Sequence, residues 1–452
     1  MQYITTIDFL LLPLYLFFLY FIIKITARKY NGKALKNYFI TAFWLHMGGS
    51  FLYAMMIQFY YGYGDSFGFY KGSNFIRDFI SSGGNLFQIF YISSEELVKP
   101  QNMTLYAGLE LPIGISTNSN FTIMKISALL SYISFNSYLI ITLFFGLFAF
   151  AGLWKLFSTL NAVLEKKAEK LLALTILYTP SICFWGSGLM KDSLCLGLVG
   201  FVIYFTHKLF ILKKINIRDI VLLVLCFYLL FILKSYIASI LIVSYLISYV
   251  IFILKKSRQN IIKFISASFI ILVGFIFTVI NLSSNIQTLL EESKDQIEVF
   301  KGVYANQDNE ETNSLAGFKA GDFELSISSF IIRSPLAMFS TLFRPFLWET
   351  KKLVMVFSAI ESFIMLLALF YIMYKAGALR FIYTLFADPY TFFAFIFTIL
   401  LSAVVGFTTF NFGTLVRYRL PILPFYFFIL IAVYTKRVIL RPVKNGSGTV
   451  KI

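Results

Sequence analysis

The chain has 452 residues, of which 59% are hydrophobic and only 13% charged, and its formal charge is +17. A soluble domain lies nearer half apolar and a quarter charged, so a soluble fold is excluded. Alternating segments of about 10 residues, the mark of a membrane β-barrel, are absent as well.

Windows of roughly 20 apolar residues recur along the whole length, as a hydrocarbon core of about 30 Å requires. They define an all-α polytopic (multi-pass) membrane protein. About eleven transmembrane helices are expected, near residues 8–26, 39–60, 137–157, 170–186, 193–212, 219–233, 236–254, 262–281, 353–374, 389–409 and 420–435. The first has no basic stretch before it and no small-residue cleavage site after it, which reads as a retained helix rather than a signal peptide. Two long connections, about 61–136 and 281–352, are too long for mere linkers. Within them, FTIMKISALLSYISF (Phe121–Phe135) and SISSFIIRSPLAMFSTLF (Ser326–Phe343) are amphipathic and read as helices lying on the membrane surface. No repeat of 20–50 residues is visible. Residues 1–435 therefore form a single transmembrane domain, followed by a basic tail over 436–452.

The charge is distributed unevenly. Alternate short loops (Lys24–Lys36, Lys155–Lys170, Lys208–Asp219, Lys255–Lys263, Lys375–Asp388) and the tail hold 24 of the 39 Lys and Arg but only four of the 22 acids. The rest of the chain keeps 15 basic and 18 acidic residues. Lys and Arg accumulate on the cytoplasmic side, which predicts an external N-terminus, a cytoplasmic C-terminus and two external long loops. The basic balance is thus a topology signal, and nucleic acid is not an expected partner. Cys183, Cys195 and Cys226 lie in or beside apolar runs without metal spacing and read as buried free thiols. His46 and His207 lack neighbours at ligand spacing, so no metal site is assigned.

Against that charge asymmetry, basic residues recur at the external membrane boundary. The turn PSICFWGSGLMKDSL holds Lys191 and Asp192. YGYGDSFGFYKG, after the second span, holds Asp65, and LLFILKSYIAS places Lys234 in an external turn. FIIRSPLAMFSTLFRPFLWETKK carries Arg333 and Arg344, and NFGTLVRYRLPILP carries Arg417 and Arg419. Charges at such depth face a cavity or a partner. Snorkelling would account for an isolated arginine, and Asp192 would suit a helix N-terminus. Six cations on four segments suit a phosphate better, since Arg offers a planar donor fork and Lys a point charge. Gly186, Gly188 and Gly413 would allow backbone to approach that group.

At PSICFWGSGLMKDSL, FRPFLWE and NFGTLVRYRLPILP the sequence resembles bacterial multispan proteins of surface-polysaccharide assembly. These are membrane glycosyltransferases with the GT-C type of fold and O-antigen or exopolysaccharide polymerases. The GT-C pattern places its acidic loop after the first span, whereas Asp65 follows the second; Arg333 and Arg344 fit the late arginine-bearing loop of the polymerases better. The resemblance implies a cell-envelope enzyme of the bacterial inner (cytoplasmic) membrane. It would transfer a sugar or glycan from a polyprenyl-phosphate or -pyrophosphate donor on the external, periplasmic face. Expected partners are membrane lipids, the polyprenyl-linked saccharide and other polysaccharide-assembly proteins.

Cations that bind the departing phosphate more tightly than the intact donor would accelerate its departure. Arg417, Arg419, Arg344 and Lys191 are the candidates, with Lys234 and Arg333 assisting. A carboxylate would take the acceptor's proton, Asp65 first and Asp192 second. No cofactor other than the lipid-linked sugar is required. A divalent ion stays open as an addition, since scattered acids such as Asp65, Asp78 and Asp322 could hold one, although their spacing does not show it. The competing readings are a flippase or other transporter of lipid-linked saccharide, and a non-catalytic scaffold of a polysaccharide or secretion complex.

Overall fold

The computed structural model describes residues 3–30, 32–82, 85–97, 115–256, 327–350, 353–409 and 411–436. The described residues are helical throughout, without strands. Helix α1 (Thr6–Ala27) and α2 (Lys33–Met56) open the chain. Next come α3 (Asp65–Ser81), two single-turn helices α4 (Gln88–Tyr91) and α5 (Ser94–Leu97), and α6 (Asn118–Ile133). The middle of the chain forms α7 (Tyr138–Val163), α8 (Glu169–Leu177), α9 (Pro180–Trp185), α10 (Lys191–Thr206) and α11 (Ile217–Lys256). After α12 (Ile327–Phe343) follow α13 (Leu353–Ala376), α14 (Ala378–Ala387), α15 (Pro389–Thr408), α16 (Phe412–Tyr418) and α17 (Leu423–Tyr434).

Seven of these helical stretches are long and apolar enough to cross a membrane, or eight if the pair α16–α17, bent by 61°, counts as one. A polytopic helical membrane protein is therefore the fold. One expected span differs, and another is not described. The one over 170–186 is two short helices, α8 and α9, because Pro180 lacks an N–H and forces Thr179 into an extended conformation (φ −61°, ψ 124°). The one near 262–281 lies outside the described residues.

Helix α11 answers the question of the two spans expected over 219–233 and 236–254. At 40 residues it would be about 60 Å long if straight, twice a membrane core. Its backbone breaks at Lys234 (φ −150°, ψ 83°). Asp219 pairs with Lys208 at 2.5 Å, beside His207, which hydrogen-bonds to Tyr390. Past the break, Tyr245 stacks on Phe393, and Phe252 lines a small pocket together with Pro389 and Phe392. The second half thus returns to the end from which the first half rises, with Lys234 at the tip.

The tightest packing joins α7 and α10, both buried on most faces. Glycines allow it: a Cβ on Gly152 would lie 2.1 Å from the carbonyl oxygen of Gly197, the small-residue contact by which membrane helices approach closely. Gly152→Val should therefore cost about 1–3 kcal/mol through overpacking, read as a lower melting temperature of the purified protein. Gly48→Ala, where a Cβ meets nothing within 4 Å, should leave it unchanged.

The amphipathic segment over Ser326–Phe343 was expected on the membrane surface. Its described part, α12, instead packs antiparallel along α15. Thr341 donates to the Ser402 carbonyl (2.8 Å), and Ala337 meets Gly406 so closely that a Cβ there would fall 2.2 Å from its oxygen. Small and hydroxylated residues on both helices make this insertion stable. Helix α6, the other expected surface helix, packs against α3 and the α11 hairpin.

Candidate functional site

One end of the bundle gathers the starts of α3, α7 and α10, the tip of α11 and the end of α16. Ser66 bonds to Tyr138 (2.8 Å), Ser137 donates to Asp8, and Asp192 pairs with Lys234 (2.5 Å). The opposite end holds Lys208 with Asp219 and Lys436 with Asp388.

At the first end, five of the eight candidate residues form one network. Asp192 stands in the first turn of α10, where a helix N-terminus favours a carboxylate. It takes Lys234 on one oxygen and Arg417 Nε, at 3.5 Å, on the other. Arg417, in the last turn of α16, reaches outward through Nη2 to Asp65 at 3.1 Å. Lys234 also lies 3.6 Å above the centre of the Tyr418 ring, a cation–π contact. Lys191, beside Asp192, donates to Ser119 on α6 (2.8 Å) and ties that helix to the site.

Exposure grades through the network. Asp192 and Lys234 are 3% and 8% exposed, Arg417 22% and Asp65 58%. The carboxylate buried between two cations serves as their counter-ion, so Asp192 is not free to act as a base. Asp65 is the accessible carboxylate, and the buried Arg417 Nε makes no hydrogen bond. Lys191, Lys234 and Arg417 together exceed Asp65 and Asp192 by one positive charge.

Arg344 and Arg419 belong to a second network. Arg344 chelates Glu349 through Nε (3.0 and 3.1 Å) and Nη2, and its guanidinium lies 5.0 Å from the centre of the Phe412 ring. Arg419, fully buried, donates to Ser362 Oγ (2.7 Å) and to the Arg344 carbonyl (3.1 Å), and pairs with Glu361 at 3.5 Å. The other Glu361 oxygen accepts from the Ser181 N–H at 3.0 Å. Arg419 is thus a strut linking the inner end of α12, α13 and α9, not an open phosphate ligand. Arg333 stands eleven residues before Arg344, three helical turns or about 16 Å away along α12.

The turn PSICFWGSGLMKDSL now has its reason. Pro180 breaks the helix and presents the Ser181 N–H to Glu361, while the following turn sets Lys191 and Asp192 at the start of α10. Gly188 lies against Tyr53, where a Cβ would come within 2.5 Å of the ring, and Gly186 against Ile182. Both serve packing within the protein rather than the approach of a ligand. Ser187 hydrogen-bonds to the buried His46 (3.0 Å), with Cys183 Sγ 3.9 Å from the other ring nitrogen.

Sequence reasoning missed Glu361, Ser119 and Tyr418. A lone acid in the apolar run AIESFIM was the available signal for Glu361, because a carboxylate inside a span needs a partner. Among the described residues, no group of three His, Cys, Asp or Glu could hold a metal ion. Asp78 pairs with Arg77 at 2.9 Å, and Asp322 lies outside the described residues. No protein-family model, curated protein or solved structure matches this chain.

Proposed function

We propose that this protein is a membrane glycosyltransferase or polysaccharide polymerase that takes a sugar or glycan from a polyprenyl-phosphate or -pyrophosphate donor. The carrying observation is the junction of three cations from α10, α11 and α16 with one exposed carboxylate at one end of a membrane bundle. Among the described residues, the basic residues Lys208 and Lys436 lie at the opposite end, which supports an external site in a bacterial cytoplasmic membrane.

In this reading Asp65 occupies the anion position of Arg417 when no donor is bound. An arriving phosphate replaces it at the guanidinium, which frees the carboxylate beside the anomeric carbon. The acceptor hydroxyl oxygen then bonds to that carbon, its proton passes to Asp65, and the carbon–oxygen bond to phosphate breaks. Arg417 and Lys191 hold the leaving phosphate, with Lys234 keeping the buried carboxylate neutralised. Arg344 and Arg419 hold α12 and the α9 turn in place around it.

Binding of polyprenyl phosphate to the purified protein, over a salt series, tests this. Arg417→Ala should weaken binding at least about tenfold, or ~1.4 kcal/mol, and flatten its salt dependence. Equal binding by both proteins would remove the phosphate from this site. Asp65→Asn should keep binding and lose transfer by about 10²–10⁴-fold. A flippase using the same cations would keep moving lipid-linked sugar after that change, so the variant also separates the two readings.

A further inference from the structure

The segment Ile57–Gly64 departs from α-helical geometry between α2 and α3. Residues Ile57–Tyr61 form a π turn closed by the Gly62 N–H on the Ile57 carbonyl (2.8 Å). Gly62 (φ 70°) and Gly64 (φ 141°) then adopt backbone conformations that L-residues rarely take. Such turns gather at functional sites. This one displays three tyrosines in four positions immediately before Asp65. Tyr60 and Tyr63 are 57% and 68% exposed. The rings form a chain, with centroids 5.0 Å apart for Tyr60–Tyr61 and 6.4 Å for Tyr61–Tyr63. Asp65, two residues after Tyr63, pairs with Arg417 at 3.1 Å.

Aromatic residues at a membrane boundary commonly anchor the protein at the headgroup level, but these three also stand immediately before Asp65, the partner of Arg417. A sugar ring presents a face of C–H groups that packs on an aromatic face, and a rim of hydroxyls that bond to phenols. In the proposed donor the first sugar is one bridging oxygen from phosphorus, so it must lie beside whatever binds the phosphate. The other tyrosines next to Arg417, Tyr53 and Tyr418, are buried or engaged with Lys234.

We infer that Tyr60, Tyr61 and Tyr63 form a pyranose-binding platform that receives the first sugar of the lipid-linked donor and distinguishes a loaded carrier from a spent one. This rests on the reading of Arg417 as the phosphate site.

The test compares two probes on the full-length purified protein: polyprenyl phosphate, and the same lipid bearing one hexose on its phosphate. The wild type should bind the loaded carrier about tenfold more tightly or better. Tyr60→Ala with Tyr63→Ala should shrink that preference to within about twofold and leave the bare carrier's affinity unchanged, which also certifies the fold. Tyr60→Phe with Tyr63→Phe, which keeps the rings, should retain most of the preference. A wild type that binds both carriers equally, or an alanine pair that keeps the full preference, overturns the platform while the phosphate site stands. An alanine pair that loses both carriers equally assigns the tyrosines to shaping the turn and overturns it too. A wild type that binds neither carrier removes both proposals.

Discussion

Replacing Lys234 with methionine should destabilise the protein by about 3–5 kcal/mol, because it leaves the Asp192 carboxylate buried without its nearest cation. Arg417, at 3.5 Å from the other oxygen, is the remaining counter-charge, and it is shared with Asp65. The loss should therefore fall toward the lower end of that range. The partner substitution decides the cause. Asp192→Asn in the Lys234→Met background removes the stranded charge and should recover most of the lost stability, as replacement of a whole buried ion pair often does. Denaturant or thermal unfolding of the detergent-purified single and double variants measures both. If the double variant is as unstable as Lys234→Met alone, the lysine contributes through its packing on Tyr418 and not through its charge.

Arg419→Met carries the second large effect. The guanidinium bonds to Ser362, the Arg344 carbonyl and Glu361, which belong to two separate elements, and through Glu361 it reaches Ser181 on a third. Methionine would leave the Glu361 carboxylate with one backbone N–H, again at about 3–5 kcal/mol. Arg419→Lys should rescue little, since a point charge cannot serve acceptors that a planar fork reaches together. The informative contrast is with Arg417. At a temperature where Arg419→Met remains folded, it should bind polyprenyl phosphate nearly as the wild type does, whereas Arg417→Ala should not. An equal loss of binding in both would return Arg419 to the phosphate site.

The parts of this structure that were legible beforehand follow local rules. Apolar runs of membrane length marked most spans, and a lone lysine between two such runs marked the tip of α11. Eight residues, Asp65, Lys191, Asp192, Lys234, Arg333, Arg344, Arg417 and Arg419, were expected to converge from their shared placement at one boundary; Asp65, Asp192, Lys234 and Arg417 meet, with Lys191 beside them, whereas Arg344 and Arg419 form a second network. What could not be read was which arginine joins Asp65 and Asp192 and which is satisfied elsewhere. Arg417 and Arg419 are two residues apart and look alike in sequence. Two helical steps, about 200° around the axis, direct the first to the site and the second to Glu361, a partner 58 positions away. Helix α12 failed for a related reason. Its amphipathic pattern fits a membrane surface, and only the small residues of α15, contributed from far along the chain, let it enter the bundle.

The break at Lys234 also sets an order of assembly. Chains are made from the N-terminus onward, so Asp192 is in place on α10 before α11 emerges. The two halves of α11 are each about the length of one crossing, and the single charge between them would resist entry by about 2.5–3.5 kcal/mol at mid-membrane. A hairpin inserting tip first brings that ammonium to a carboxylate already waiting for it. Arg417, synthesised last, then closes over the pair. In that order the carboxylates precede their cations, and a chain cut off before α16 would still hold Asp192 and Lys234 as a pair.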